Sequence, residues 1–136
     1  MTITGVHHLA LSVRDSSRSR AFYEGVLGFA PMMELDEAGH KVLLLKCPDL
    51  PLVIGLHQHG RNPGEAFTEF ATGMDHIALA VDTAEALEDW QKVLAAAGVE
   101  HSPIAPGARP GASILVFRDP DKIQLEFIHF ADPAVA

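Results

Sequence analysis

Apolar and polar residues alternate along Leu9-Ala10-Leu11-Ser12-Val13, the period of a strand with one buried face. Asp15-Ser16-Ser17 follows as a helix start. Phe22 and Val26 then fall on one helical face, and Gly28 is a natural stop. Three strand-like segments come next, over 29–36, 40–47 and 51–58, divided by the turn residues Glu37-Ala38-Gly39 and Cys47-Pro48-Asp49. Residues 59–72 carry Gly, Pro and charge without a clean period. They read as a linker that could lie as a lid over a cavity. The same succession then returns. A strand runs to Val81, and Asp82 with Glu85 resembles a capping box. Leu87, Trp90, Leu94 and Ala97 recur at helical spacing, and Gly98 ends that helix. Strands over 99–105, 112–118 and 122–130 complete the chain, the last two separated by Asp119-Pro120-Asp121.

The two halves also agree residue by residue. GVHHLALSV at 5–13 and GMDHIALAV at 73–81 share five of nine positions, and the shift of 68 sets His8 over His76. In the last strands, with a shift of 71, LVIGLH at 52–57 lies over IQLEFI at 123–128, so Gly55 stands where the second half has Glu126. Such internal repetition predicts two copies of one unit. The fold class is therefore α+β, with βαβββ modules at 1–58 and 73–131 joined by the linker 59–72 within one domain of 136 residues.

Strand alternation separates what packs from what is presented. Leu9, Leu11 and Val13 face the helix, while His8, Ala10 and Ser12 face the other way. In the second half Ile77, Leu79 and Val81 pack, leaving His76, Ala78 and Ala80 on the open side. Ile123, Leu125 and Phe127 pack, leaving Gln124, Glu126 and Ile128. Pairing of the halves about a pseudo-two-fold axis would bring His8, His76 and Glu126 into one cavity. Two imidazoles and a carboxylate form a ligand set for a divalent ion such as Zn, Fe, Mn or Ni, with positions left open for water and substrate.

Charge and cysteine content narrow the partners. The net charge of −8 argues against a nucleic acid and disfavours an anionic membrane surface. The lone Cys47 cannot form an internal disulfide and reads as a small core residue. The N-terminal stretch lacks the basic and long apolar regions of a signal peptide, and no run is long enough to span a bilayer. A cytoplasmic location is the default expectation.

HHLALSV (7–13), FYEGVLGF (22–29), DHIALAV (75–81) and FRDPDKIQLEF (117–127), in this order and spacing, resemble the vicinal oxygen chelate superfamily of glyoxalase I, extradiol dioxygenases and fosfomycin- and bleomycin-resistance proteins. The resemblance implies a glyoxalase-like cupped mixed sheet around a central cavity. It implies metal ligation by His8, His76 and Glu126, with position 55 as a further corner. Lactoylglutathione lyases usually place Glu or Gln at that corner, and Gly55 departs from this. The remaining three-ligand set is closer to the fosfomycin-resistance and extradiol patterns. His57 shares the face of Gly55 and is the candidate acid–base group. Gln124 and Arg109 are candidate substrate contacts. His7, His40, His59, His101 and His129 read as surface or structural residues. The implied function is that of a metalloenzyme, a lyase, isomerase or dioxygenase acting on a small molecule chelated through vicinal oxygens. A non-catalytic binding or resistance protein is the alternative, and the intact ligand triad favours the enzyme. Exposed sheet edges suggest a homodimer.

Overall fold

The computed structural model describes residues 1–132, and the chain divides into two compact units, Met1–Glu65 and a second from Ala66 onward. The boundary falls inside the 59–72 segment. In the first unit the elements are β1 (Leu9–Ser12), α1 (Ser16–Gly25), β2 (Ala30–Glu37), β3 (His40–Lys46) and β4 (Val53–His59). Their four strands form one mixed sheet in the order β1-β4-β3-β2, with β1 parallel to β4 and the other pairs antiparallel. Asp15 sits in extended backbone and its side chain accepts from the amides of Ser17 and Arg18 at 2.9 and 3.2 Å, satisfying two of the orphan donors that begin α1. The chain leaves the helix through Gly28 at φ 73°, a conformation that favours glycine. Leu11, Val13, Leu43, Leu45, Ile54 and Leu56 are buried beneath the helix. Fully buried Tyr23 joins them, meeting the rings of Phe22 and Phe29 edge-on at 5.2 and 5.9 Å.

The second unit repeats the plan with β5 (Ile77–Ala80), α2 (Ala84–Ala96), β6 (Ala105–Pro106), β7 (Ala112–Arg118) and β8 (Gln124–Phe130). Its sheet has the order β5-β8-β7-β6, again with the first strand parallel to the last. Glu126 therefore lies on an interior strand and not at a sheet edge. Two local expectations are corrected. The helix cap is Thr83 and not Asp82: Thr83 is in extended backbone and its hydroxyl accepts from the Ala86 amide at 3.1 Å. The strand expected over 99–105 contracts to two residues, plus a bridge from His101 to Phe117. Pro103 and Pro106 offer no amide hydrogen to a ladder, and the Ser102 hydroxyl instead accepts from the Val116 amide at 3.1 Å. Trp90 of α2 stacks on Phe127 of β8, which stacks in turn on Phe117 of β7, with centroids 4.5 and 4.8 Å apart.

The turn from β7 to β8 is built on Asp119, which is buried. Its Oδ1 accepts from the amides of Asp121 and Ile123, both at 2.8 Å, and its backbone amide donates to the Ile123 carbonyl at 3.1 Å. The turn closes through Lys122 at φ 68°, the one left-handed non-glycine residue among those described. Part of the 59–72 segment is fastened here. The Phe67 amide donates to the Asp121 carbonyl at 2.9 Å, and Arg118 donates to both Glu69 oxygens at 2.8 and 3.2 Å. That two-point hydrogen bond holds the Glu69 carboxyl below the usual carboxylate range. Among the described residues no helix is long and apolar enough to cross a membrane.

Candidate functional site

In the second unit, Leu115, Phe117, Leu125 and Phe127 are buried on the helix side of the sheet. Alternation hands the opposite face to Gln124, Glu126 and Ile128 of β8 and Val116 of β7. Ala78 stands directly across from Glu126 on one side, and Val116 on the other. Both neighbours are unable to pair with a carboxylate. Glu126 is nevertheless only 8% exposed, and among the described residues no hydrogen bond or ion pair engages it. His76 precedes β5 by one residue, two positions before the Ala78 that pairs with Glu126. Its Nδ1 lies 2.6 Å from Asp75 Oδ1. The Asp75 carboxylate can only accept, so His76 Nδ1–H donates to it, which directs Nε2 outward in the arrangement common behind metal-binding histidines.

Gln124 is half-buried on the Glu126 face, across from Arg118. Arg109 places its guanidinium carbon 4.8 Å over the ring of Phe130, a cation–π seat. His8 belongs to the first unit. It precedes β1, is exposed, and has its Nδ1 2.9 Å from that of His7.

The first unit has no carboxylate at the place equivalent to Glu126. Ala10 faces Gly55 just as Ala78 faces Glu126. The space is filled from two residues further along: a Cβ on Gly55 would lie 3.0 Å from His57 Nε2 and 3.2 Å from Leu44 Cδ2. The His57 ring thus folds back over position 55. Its Nδ1 lies 3.0 Å from His40 Nε2, and the ring of His40 stacks on that of His59 at 4.3 Å and 8°. His40 and His59, expected as separate surface residues, are therefore partners of His57. The sequence carried half of this signal, since the HQH run puts His57 and His59 on one face. The other half needed the β3–β4 register, which pairs His40 with His59 and Val42 with His57.

Burial lowers the His57 pKa from its usual 6.5, and like-charge repulsion from His40, His59 and His8 lowers it further. A depressed native pKa contributes stability that is present above the unfolded value and lost as pH falls through the native one. Gly55→Ala should press the ring out of its niche. We expect a stability change of about 1 kcal/mol or less, because the side chain can swing away. In ring-proton NMR titration the His57 pKa should rise toward 6.5; an unmoved titration would show that the ring does not depend on the missing Cβ.

A family model described as the glyoxalase/bleomycin resistance protein/dioxygenase superfamily matches residues 5–127. The chain belongs to that superfamily. It is 31% identical over 132 residues to the uncharacterized protein YwkD of Bacillus subtilis (strain 168), covering 93% of this chain and 97% of that one. A crystal structure of a glyoxylase/bleomycin resistance protein/dioxygenase domain from Frankia sp. EAN1pec superposes with a TM-score of 0.88 at 28% identity, covering 97% of this chain and 96% of the other. The fosfomycin resistance protein FosX of Listeria monocytogenes, solved with Mn(II) and sulfate, shares the fold at a TM-score of 0.72 and 20% identity, over 94% and 93% of the two chains. Within the superfamily fold, the duplicated βαβββ plan expected from the repeat is the observed one.

Proposed function

We propose that this superfamily member is a metal-dependent enzyme, with His76 and Glu126 ligating a divalent ion and His8 as the third ligand. The observation that supports this best is Glu126, only 8% exposed between Ala78 and Val116 and with no protein partner for its carboxylate among the described residues. A carboxylate in a largely apolar setting with no protein partner is disfavoured, and a cation offsets that cost. The donor set fits an ion of the Zn, Fe, Mn or Ni type, and the Asp75–His76 contact prepares one imidazole for it. When bound, such an ion polarises substrate oxygens as a Lewis acid. The substrate is a small molecule presenting vicinal oxygens.

The protein's own contribution is the proton chemistry. His57, kept neutral by burial and by its neighbours, sets Nε2 over Gly55, in the space that a side chain at that corner would otherwise fill, and acts as a base there in the tautomer that carries its proton on Nδ1, with no ion on that nitrogen. This favours isomerase- or lyase-type proton transfer over oxygenation. Gln124, on the Glu126 face, and Arg109 contact substrate in this reading, and a homodimer in the cytoplasm belongs to it.

The decisive experiment is elemental analysis and metal titration of the purified chain. Glu126→Gln and His76→Ala should each weaken binding of one ion by more than about 100-fold, exceeding the effect of losing an outer-sphere partner. His57→Ala should leave that ion in place. A chain that takes up none of Zn²⁺, Mn²⁺, Fe²⁺ or Ni²⁺ at Glu126 would instead be a binding protein without chemistry.

A further inference from the structure

We infer that His40, His57 and His59 form a second transition-metal site whose three ligands all belong to the first unit and include neither Glu126 nor His76. The three residues lie on one face of β3 and β4, where the register pairs His40 with His59 and Val42 with His57. Each offers a ring nitrogen, and these atoms all lie within 4.8 Å of one another. Tetrahedral coordination at about 2.0–2.1 Å per bond sets ligand nitrogens roughly 3.3 Å apart. His40 Nε2 and His57 Nδ1, at 3.0 Å, already stand at nearly that separation. His59 is the exposed member and is stacked on His40, so rotation of its side chain can bring its nitrogen inward without moving the sheet.

Packing alone gives a weaker account of the cluster. Three imidazoles this close repel one another when protonated, and a neutral cluster leaves several nitrogen lone pairs converging on one place. A cation uses those lone pairs in three coordinate bonds and keeps the rings from protonating. Imidazole donors select Zn²⁺, Ni²⁺, Co²⁺ or Cu²⁺ over Mg²⁺ and Ca²⁺, which take oxygen. The ligand chemistry is therefore that of a borderline d-block ion with its remaining positions filled by water.

The test uses the full chain carrying Glu126→Gln and His76→Ala, so that binding at the other proposed site does not contribute. Titration with Zn²⁺ against a chromophoric chelator should still find one equivalent bound, and Mg²⁺ should not compete. Adding His40→Gln with His59→Gln should weaken that binding by more than about 100-fold, the loss of two direct ligands outweighing that of outer partners. A parallel Co²⁺ titration reads the same site by the visible absorption of tetrahedral cobalt, and thermal unfolding confirms that the variants remain folded. Undiminished Zn²⁺ binding in the chain lacking His40 and His59 overturns the inference, as does the absence of any bound equivalent before they are removed. The outcome at Glu126 is read separately, from a chain carrying only His40→Gln and His59→Gln, so the two proposals fail independently.

Discussion

Replacing Phe127 with alanine should lower the unfolding free energy by about 3–5 kcal/mol, the range for deleting a buried aromatic ring. Phe127 is 4% exposed and lies between two other rings, Trp90 at 4.5 Å and Phe117 at 4.8 Å. It joins α2 to the sheet beneath, so its loss leaves a cavity lined on both sides by flat surfaces that cannot collapse to fill it. Each stacked pair adds about 0.5–1.5 kcal/mol beyond area burial, which places the expected effect toward the upper end. Trp90 is the single tryptophan of the chain, so its fluorescence reports this contact directly. Urea unfolding followed by that signal should show an earlier midpoint and an altered native emission. Phe127→Leu, which keeps most of the volume, should recover more than half of the loss. An unshifted midpoint in Phe127→Ala would show that the ring stack carries little of the stability.

Asp119→Ala should destabilise by about 2–4 kcal/mol, because it strands the buried amides of residues 121 and 123 that its carboxylate now satisfies. The residue is 3% exposed, so water does not replace the lost acceptor. Asp119→Asn retains an oxygen and should cost about half as much. The effect extends beyond stability, since this turn fixes where β8 begins and hence which face Glu126 occupies. Chemical denaturation gives the first quantity. Amide hydrogen exchange at Ile123 and Leu125 gives the second, and it should accelerate in Asp119→Ala.

The repeat made the architecture legible. The alignment of Gly55 with Glu126, at a shift of 71, matches the strand registers, in which Ala10 pairs with Gly55 as Ala78 pairs with Glu126. Alternation in β8 also assigned Glu126 and Phe127 to opposite faces correctly, because an interior strand with one packed face leaves a strong period. Where the pattern failed, backbone chemistry had overridden it. The 99–105 segment has strand-like composition, but Pro103 within it and Pro106 just after it break the ladder. Asp82 and Thr83 are both competent caps, and only the extended backbone and hydroxyl contact of Thr83 decide between them. The histidine cluster was hidden for a different reason. His40 and His59 are 19 positions apart, and no periodicity within a single strand encodes a cross-strand partner.

The parallel pairing of β1 with β4 also orders events during synthesis. β1 is made early, yet its strand partner in the sheet spans Val53–His59. The β2–β3 hairpin can close as soon as Lys46 has left the ribosome, whereas β1 must wait until β4 emerges. The second unit repeats the delay, with β5 waiting for Gln124–Phe130. Truncated nascent chains should therefore acquire protease resistance in two steps, each falling as a closing strand clears the exit tunnel, and not gradually with length.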